Sequence, residues 1–117
     1  MDDIYKEIIL DHYQHPNHLG KISGGIEVDE VNMSCGDKLK IFVKIKDGKI
    51  LDAKFEGGGC AISMAAVDML LDKVIGMKLL DVKKMSGSEI EKMMGIELTP
   101  SRKKCAYLGL EVLKKID

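Results

Sequence analysis

Hydrophobic and polar positions along this chain switch between two periods. Residues 2–14 carry Ile4, Tyr5, Ile8, Ile9 and Tyr13 at helical spacing, and the run stops before Pro16, whose ring disfavours a helical residue ahead of it. "HPNHLGKISGG" is a loop by its Pro, Asn and Gly content. From Leu39 the period falls to two. Leu39, Ile41, Val43 and Ile45 share one face, and Lys40, Phe42, Lys44 and Lys46 the other. Asp47-Gly48 is a hairpin-turn dipeptide, so residues 49–56 return as a second strand with Leu51, Ala53 and Phe55 facing inward. A shorter stretch over 26–31 adds a third strand.

The period turns helical again after Cys60, with Ile62, Ala65, Ala66, Met69, Leu70 and Val74 on one stripe closed by Gly76. Ser86 and Glu89 form a capping box before a short helix over 90–94, stopped by Gly95. Thr99-Pro100 then supplies a cap followed by proline at the first helical position, opening a last helix to about residue 116. The layout predicts an α+β fold: a three-stranded antiparallel sheet with helices packed on one face, residues 1–117 forming a single domain.

Composition narrows the function classes. The chain has 117 residues, 45% hydrophobic and 32% charged, enough for a core without disulfide staples. A net charge of −1 offers no footprint for nucleic acid or an anionic membrane. No apolar run approaches the roughly 20 residues needed to span a bilayer. The acidic start, MDDIYKEI, is unlike a targeting segment, and the expected location is cytoplasmic. With eight Met, no Trp and five Phe or Tyr, the core is expected to be aliphatic, with Met filling gaps.

Three cysteines cannot all pair within one chain. Each falls at a junction between predicted elements: Cys35 in "MSCGDK" before the long strand, Cys60 after Gly57-Gly58-Gly59 and before a helix, Cys105 about one turn into the last helix. The glycines leave Cys60 uncovered, and a helix N-terminus stabilises a thiolate. Arg102, Lys103 and Lys104 offer Cys105 similar support, while Asp37 follows Cys35 across Gly36. Three thiolates and one carboxylate make four ligands, a set that suits tetrahedral Zn²⁺ or an iron–sulfur cluster. The other reading makes each cysteine a small buried hydrophobe. His12, His15 and His18 gather near the end of the first helix, as solvated or capping groups or as a second metal site. Lys40, Lys44 and Lys46 form a solvated face or a surface for an acidic partner.

"DHYQHPNHLG", "SCGDKLKIFVKI" with "DAKFEGGGCAIS", and "LTPSRKKCAYLGLEVL" together resemble the IscU/SufU/NifU N-terminal family of iron–sulfur cluster assembly scaffolds, over nearly the whole chain. The resemblance implies a scaffold and sulfur acceptor rather than an enzyme. It would receive sulfur from a cysteine desulfurase, assemble a labile, transient 2Fe–2S cluster on Cys35, Asp37, Cys60 and Cys105, and pass it to apoproteins. Cys35 is the implied acceptor, with Cys105 as the alternative. Gly36, Gly58, Gly59, Arg102 and Lys104 are supporting residues, the glycines by letting the loop move. Lys104 stands where IscU-type members carry a histidine, and Leu98-Thr99-Pro100-Ser101-Arg102 departs from their Leu-Pro-Pro-Val-Lys, which speaks against a dedicated Hsp70-type chaperone. "GCAIS" and Arg102 are closer to SufU, although the span from Cys60 to Cys105 lacks its insertion. The chain is thus a compact SufU-like form, and a zinc-bound sulfurtransferase that builds no cluster is the alternative function.

Overall fold

The structure, a computed structural model, describes residues 2–32 and 36–116. Helix α1 (Asp2–Gln14) precedes strands β1 (Ile26–Asn32), β2 (Asp37–Lys46) and β3 (Lys49–Gly58); α2 (Ala61–Val74), α3 (Leu79–Lys83), α4 (Gly87–Met94) and α5 (Pro100–Lys114) follow. The strands form one antiparallel sheet in the order β1-β2-β3. Helices α2 and α5 lie against it and against each other, α1 packs on α2, and α4 packs on both α2 and α5. The core is aliphatic, as expected: Ile41, Val43, Ile50, Ala53 and Phe55 of the sheet meet Leu70, Leu71, Val74, Val112 and Leu113 of the helices. Gly109 lets the two central helices approach closely, since a Cβ there would lie 3.2 Å from Val67 and 3.3 Å from Leu70.

The alternating pattern is broken where β2 and β3 slip. A register irregularity at Lys44/Ile45 sets Ile45 opposite Ile50. Ile50 is therefore fully buried, while Leu51, expected to face inward, is 55% exposed. A bulge adds a residue to one strand and re-aims the side chains beyond it. Phe42 sits on the lysine-bearing face, yet is buried; Lys44 and Lys46 on that face are exposed. The five-residue α3 escaped the sequence reading because it buries only Leu79 and Val82, too few positions to establish a period.

Two strand boundaries matter for the site. β2 begins at Asp37 rather than Leu39, and β3 continues through Gly57 and Gly58. The glycine run is thus not a free loop: Gly57 pairs with Leu39 and Gly58 with Lys38. This register brings Asp37, at the start of β2, beside Gly59 and Cys60, just past the end of β3.

Candidate metal centre

Cys60 caps α2 from an extended backbone conformation, and its Sγ accepts the Ser63 backbone N–H at 3.4 Å. A sulfur in the N-cap position sits among the helix's unsatisfied donors, where negative charge is favoured. Cys60 is exposed. Asp37 is not: at 1% exposure it is one of the few buried charged residues. Its Oδ1 accepts the Cys60 backbone N–H at 3.1 Å, and its Oδ2 accepts the Ser63 hydroxyl at 2.5 Å. Burying a carboxylate is tolerable only with such donors.

Cys105, in the second turn of α5, is buried at 5% exposure. Its carbonyl oxygen lies 3.3 Å from Ser63 Oγ. One hydroxyl proton cannot serve both neighbours, and the shorter contact assigns it to Asp37. Ser63 thereby ties α2 to β2 and sets its hydroxyl against the backbone of α5. The result brings one donor atom each from Asp37, Cys60 and Cys105 within 4.8 Å of one another. Two sulfurs and a carboxylate oxygen suit Zn²⁺ or iron, and do not suit the hard cations that prefer all-oxygen shells.

Three of the four expected ligands therefore meet, although their sequence spacing alone could not show it. Cys35 lies outside the described residues; Gly36, which follows it, has φ +73°, a conformation glycine adopts without strain. Gly59 earns its place by space rather than mobility, because a Cβ there would overlap the Asp37 carboxylate. A Cβ at Gly58 would meet nothing within 4 Å. The expected cationic surround of Cys105 is altered: Lys103 turns to Glu91 of α4 at 3.0 Å, while Arg102 and Lys104 are exposed and Arg102 uses its backbone N–H to complete the Thr99 cap. The Glu91 hydrogen bond raises the Lys103 pKa above its ordinary 10.5.

Ser63 was missed in the sequence. A hydroxyl three residues after a capping position is a signal that could have marked it. The histidines divide: His15 is exposed, with its backbone N–H donating to the Asp11 carbonyl, whereas His12 and His18 face Asp68 and Asp72 of α2.

A small antiparallel sheet backed by helices, with a buried Asp and two Cys converging at one end, carries the donor set of a metal- or cluster-handling protein. The model of the NifU-like N-terminal domain matches residues 4–116, and the chain belongs to that family. It is 35% identical to the zinc-dependent sulfurtransferase SufU of Bacillus subtilis, with 98% of this chain and 90% of that protein covered. It is 33% identical to the iron–sulfur cluster assembly scaffold protein IscU of Thermotoga maritima, covering 96% of this chain and 91% of the relative. A crystal structure from Fervidobacterium islandicum, whose proposed role is cluster assembly scaffold for the SUF system, superposes with a TM-score of 0.82 at 29% identity, covering 96% of this chain and 95% of that one. Among the described residues, no helix is long and apolar enough to cross a membrane.

Proposed function

We propose that this chain, acting as one domain over residues 1–117, is an iron–sulfur cluster assembly scaffold that receives sulfur from a cysteine desulfurase and hands the finished cluster to apoproteins. The observation that carries the reading is the convergence of Asp37, Cys60 and Cys105 from three elements far apart in sequence. Cys35, two residues before Asp37 in the chain, is proposed as the fourth ligand and as the sulfur acceptor. The burial of Cys105 makes it the weaker acceptor, because an incoming persulfide must reach the attacking sulfur.

In the acceptor step a thiolate attacks the outer sulfur of the desulfurase persulfide. One S–S bond forms as another breaks, and the desulfurase cysteine leaves as a thiolate, so no net oxidation occurs. Reduction of each transferred sulfur to sulfide then needs two electrons from an external reductant. Iron and sulfide are the cargo, a transient 2Fe–2S cluster held by thiolates with Asp37 as the one oxygen ligand. Thiolate bonds to iron are more covalent than carboxylate bonds, so Asp37 is the ligand from which release begins.

The 35% identity to a zinc-dependent sulfurtransferase supports a second reading. The same donors fit Zn²⁺, which would hold the thiols deprotonated; the chain would relay sulfur and build no cluster. Anaerobic reconstitution with ferrous iron, cysteine, reductant and a cysteine desulfurase separates the two. A scaffold develops visible charge-transfer bands with iron and sulfide in equal amounts. A protein that retains one zinc and never develops those bands is the sulfurtransferase.

A further inference from the structure

Two turns along α2 from Cys60, a second group of donors converges from α1, the loop after it and α2. Asp68 is fully buried, and its Oδ1 accepts the His18 backbone N–H at 2.9 Å while its Oδ2 lies 2.6 Å from His12 Nδ1. A carboxylate at that distance holds the imidazole proton on Nδ1 and leaves the Nε2 lone pair free. His12 Nε2 lies 3.9 Å from Asp72 Oδ2, and His18 Nε2 lies 2.5 Å from Asp72 Oδ1. Asp68 and Asp72 share one helix face by their spacing of four. One donor atom each from His12, Asp68 and Asp72 lies within 4.8 Å of the others, and His18 joins them through Asp72, whose side chain is 43% exposed and able to adjust.

We propose that His12, His18 and Asp72 form a second metal site, for a divalent transition-metal ion of borderline softness such as Zn²⁺, with Asp68 as the positioning residue. Two imidazoles and one carboxylate are the donors such ions choose, and three protein ligands leave room for water. A carboxylate behind a ligating histidine is the usual means of fixing its tautomer and ring orientation. A plain His18–Asp72 ion pair would need neither the His12 Nε2 alignment nor a buried acid behind His12. Eight residues of helix separate Cys60 from Asp68, about 12 Å of rise, so one ion cannot serve both places. The site does not depend on which cargo the cysteines carry.

The test is a Zn²⁺ titration of the full chain against a chelating indicator at neutral pH, followed by ¹⁵N imidazole spectra. The wild type is expected to take two equivalents. The second should shift Nε2 of His12 and His18 and leave His15 unchanged. Asp72→Asn and His18→Gln should each keep the first equivalent and lose the second. Asp68→Asn should weaken the second by about 10–100-fold. Should that buried substitution unfold the chain, the Asp72 and His18 variants decide. A wild type that takes only one equivalent overturns the proposal, as does a second equivalent that survives in the Asp72→Asn/His18→Gln double variant. Failure here would leave the first equivalent, and the cysteine site, intact.

Discussion

Gly58 and Gly59 are neighbours in sequence, yet alanine should behave very differently at the two positions. An added Cβ at Gly59 falls on the Asp37 carboxylate, at Oδ1 and Cγ, whereas one at Gly58 meets nothing within 4 Å. In Gly59→Ala the carboxylate must swing away and give up the bonds from the Cys60 N–H and the Ser63 hydroxyl, now 3.1 and 2.5 Å long. Hydrogen bonds to a charged partner are worth about 1.5–3 kcal/mol each, so the gross loss is roughly 3–6 kcal/mol. Water reaching the displaced carboxylate returns part of that, leaving a net cost of about 2–4 kcal/mol. Gly58 is exposed and lies outside the positive-φ set, so Gly58→Ala should stay within about 0.5 kcal/mol of wild type. Urea denaturation reads the stability, and zinc competition against a chelator reads the site; Gly59→Ala should lose affinity as well. Equal effects at the two glycines would refute the close-approach argument and restore mobility as their role. So would a Gly59→Ala protein of wild-type stability and affinity.

Other outcomes follow from the same geometry. Ser63→Ala removes the hydroxyl that Asp37 Oδ2 accepts; it should cost about 1.5–3 kcal/mol in urea denaturation and slow cluster release, and an unchanged midpoint would contradict the role given to Ser63. In the metal-free protein, exposed Cys60 should be alkylated at least about tenfold faster than buried Cys105, since access limits thiol reaction; mass spectrometry of the modified peptides would expose the reverse order. The hydrogen bond from Lys103 holds Glu91 below the ordinary carboxylate value of 4.5, and Glu91 raises Lys103. Their contribution is complete at neutral pH. It is lost as pH falls through the lowered Glu91 pKa, and again as pH rises through the raised Lys103 pKa. Glu91→Gln should therefore soften the acid limb of the stability profile, an effect that fades in high salt because the pair is exposed. Metal removal should leave the far-ultraviolet circular dichroism native, because the aliphatic core joins sheet and helices without the site's residues; loss of that signal on chelation would assign the metal a structural role.

The elements that reward a periodic reading were legible in the sequence. α1, the β2–β3 hairpin, α2 and α5 each carry a long apolar stripe or strict alternation, and caps such as Thr99-Pro100 mark their ends. What stayed hidden depends on pairing between distant residues. Leu51 and Ile50 exchanged faces because of a slip between strands, which no single strand announces. The glycines before Cys60 looked like a hinge, but Gly57 and Gly58 complete the ladder and Gly59 makes room for Asp37, facts that need the partner strand. The candidate ligands Asp37, Cys60 and Cys105 were legible by residue type and resemblance, but not their convergence. Ser63 and Asp68, which hold other groups in place, are not singled out by residue type or resemblance; Ser63 is marked only by its spacing from the cap at Cys60.

The arrangement around Asp37 bears on why a scaffold would combine thiolates with one acid. A carboxylate that ligates through an otherwise unsupported oxygen is costly to detach, because it would be left charged and buried. Asp37 is buried, but each of its oxygens already accepts a hydrogen bond from the protein, one from the Cys60 N–H and one from the Ser63 hydroxyl. Those donors lower the basicity of the carboxylate toward a metal, and they also stabilise the state in which the metal has gone. Both effects shift the balance toward release. Cys60 is linked to the same device, since the backbone N–H that supports Asp37 is its own and the N–H that its sulfur accepts belongs to Ser63. Under the proposed function, a cluster bond lost at Asp37 would therefore leave both carboxylate oxygens still supported by the protein. A scaffold built this way would give up its cluster without unfolding the site, which would remain shaped for the next one.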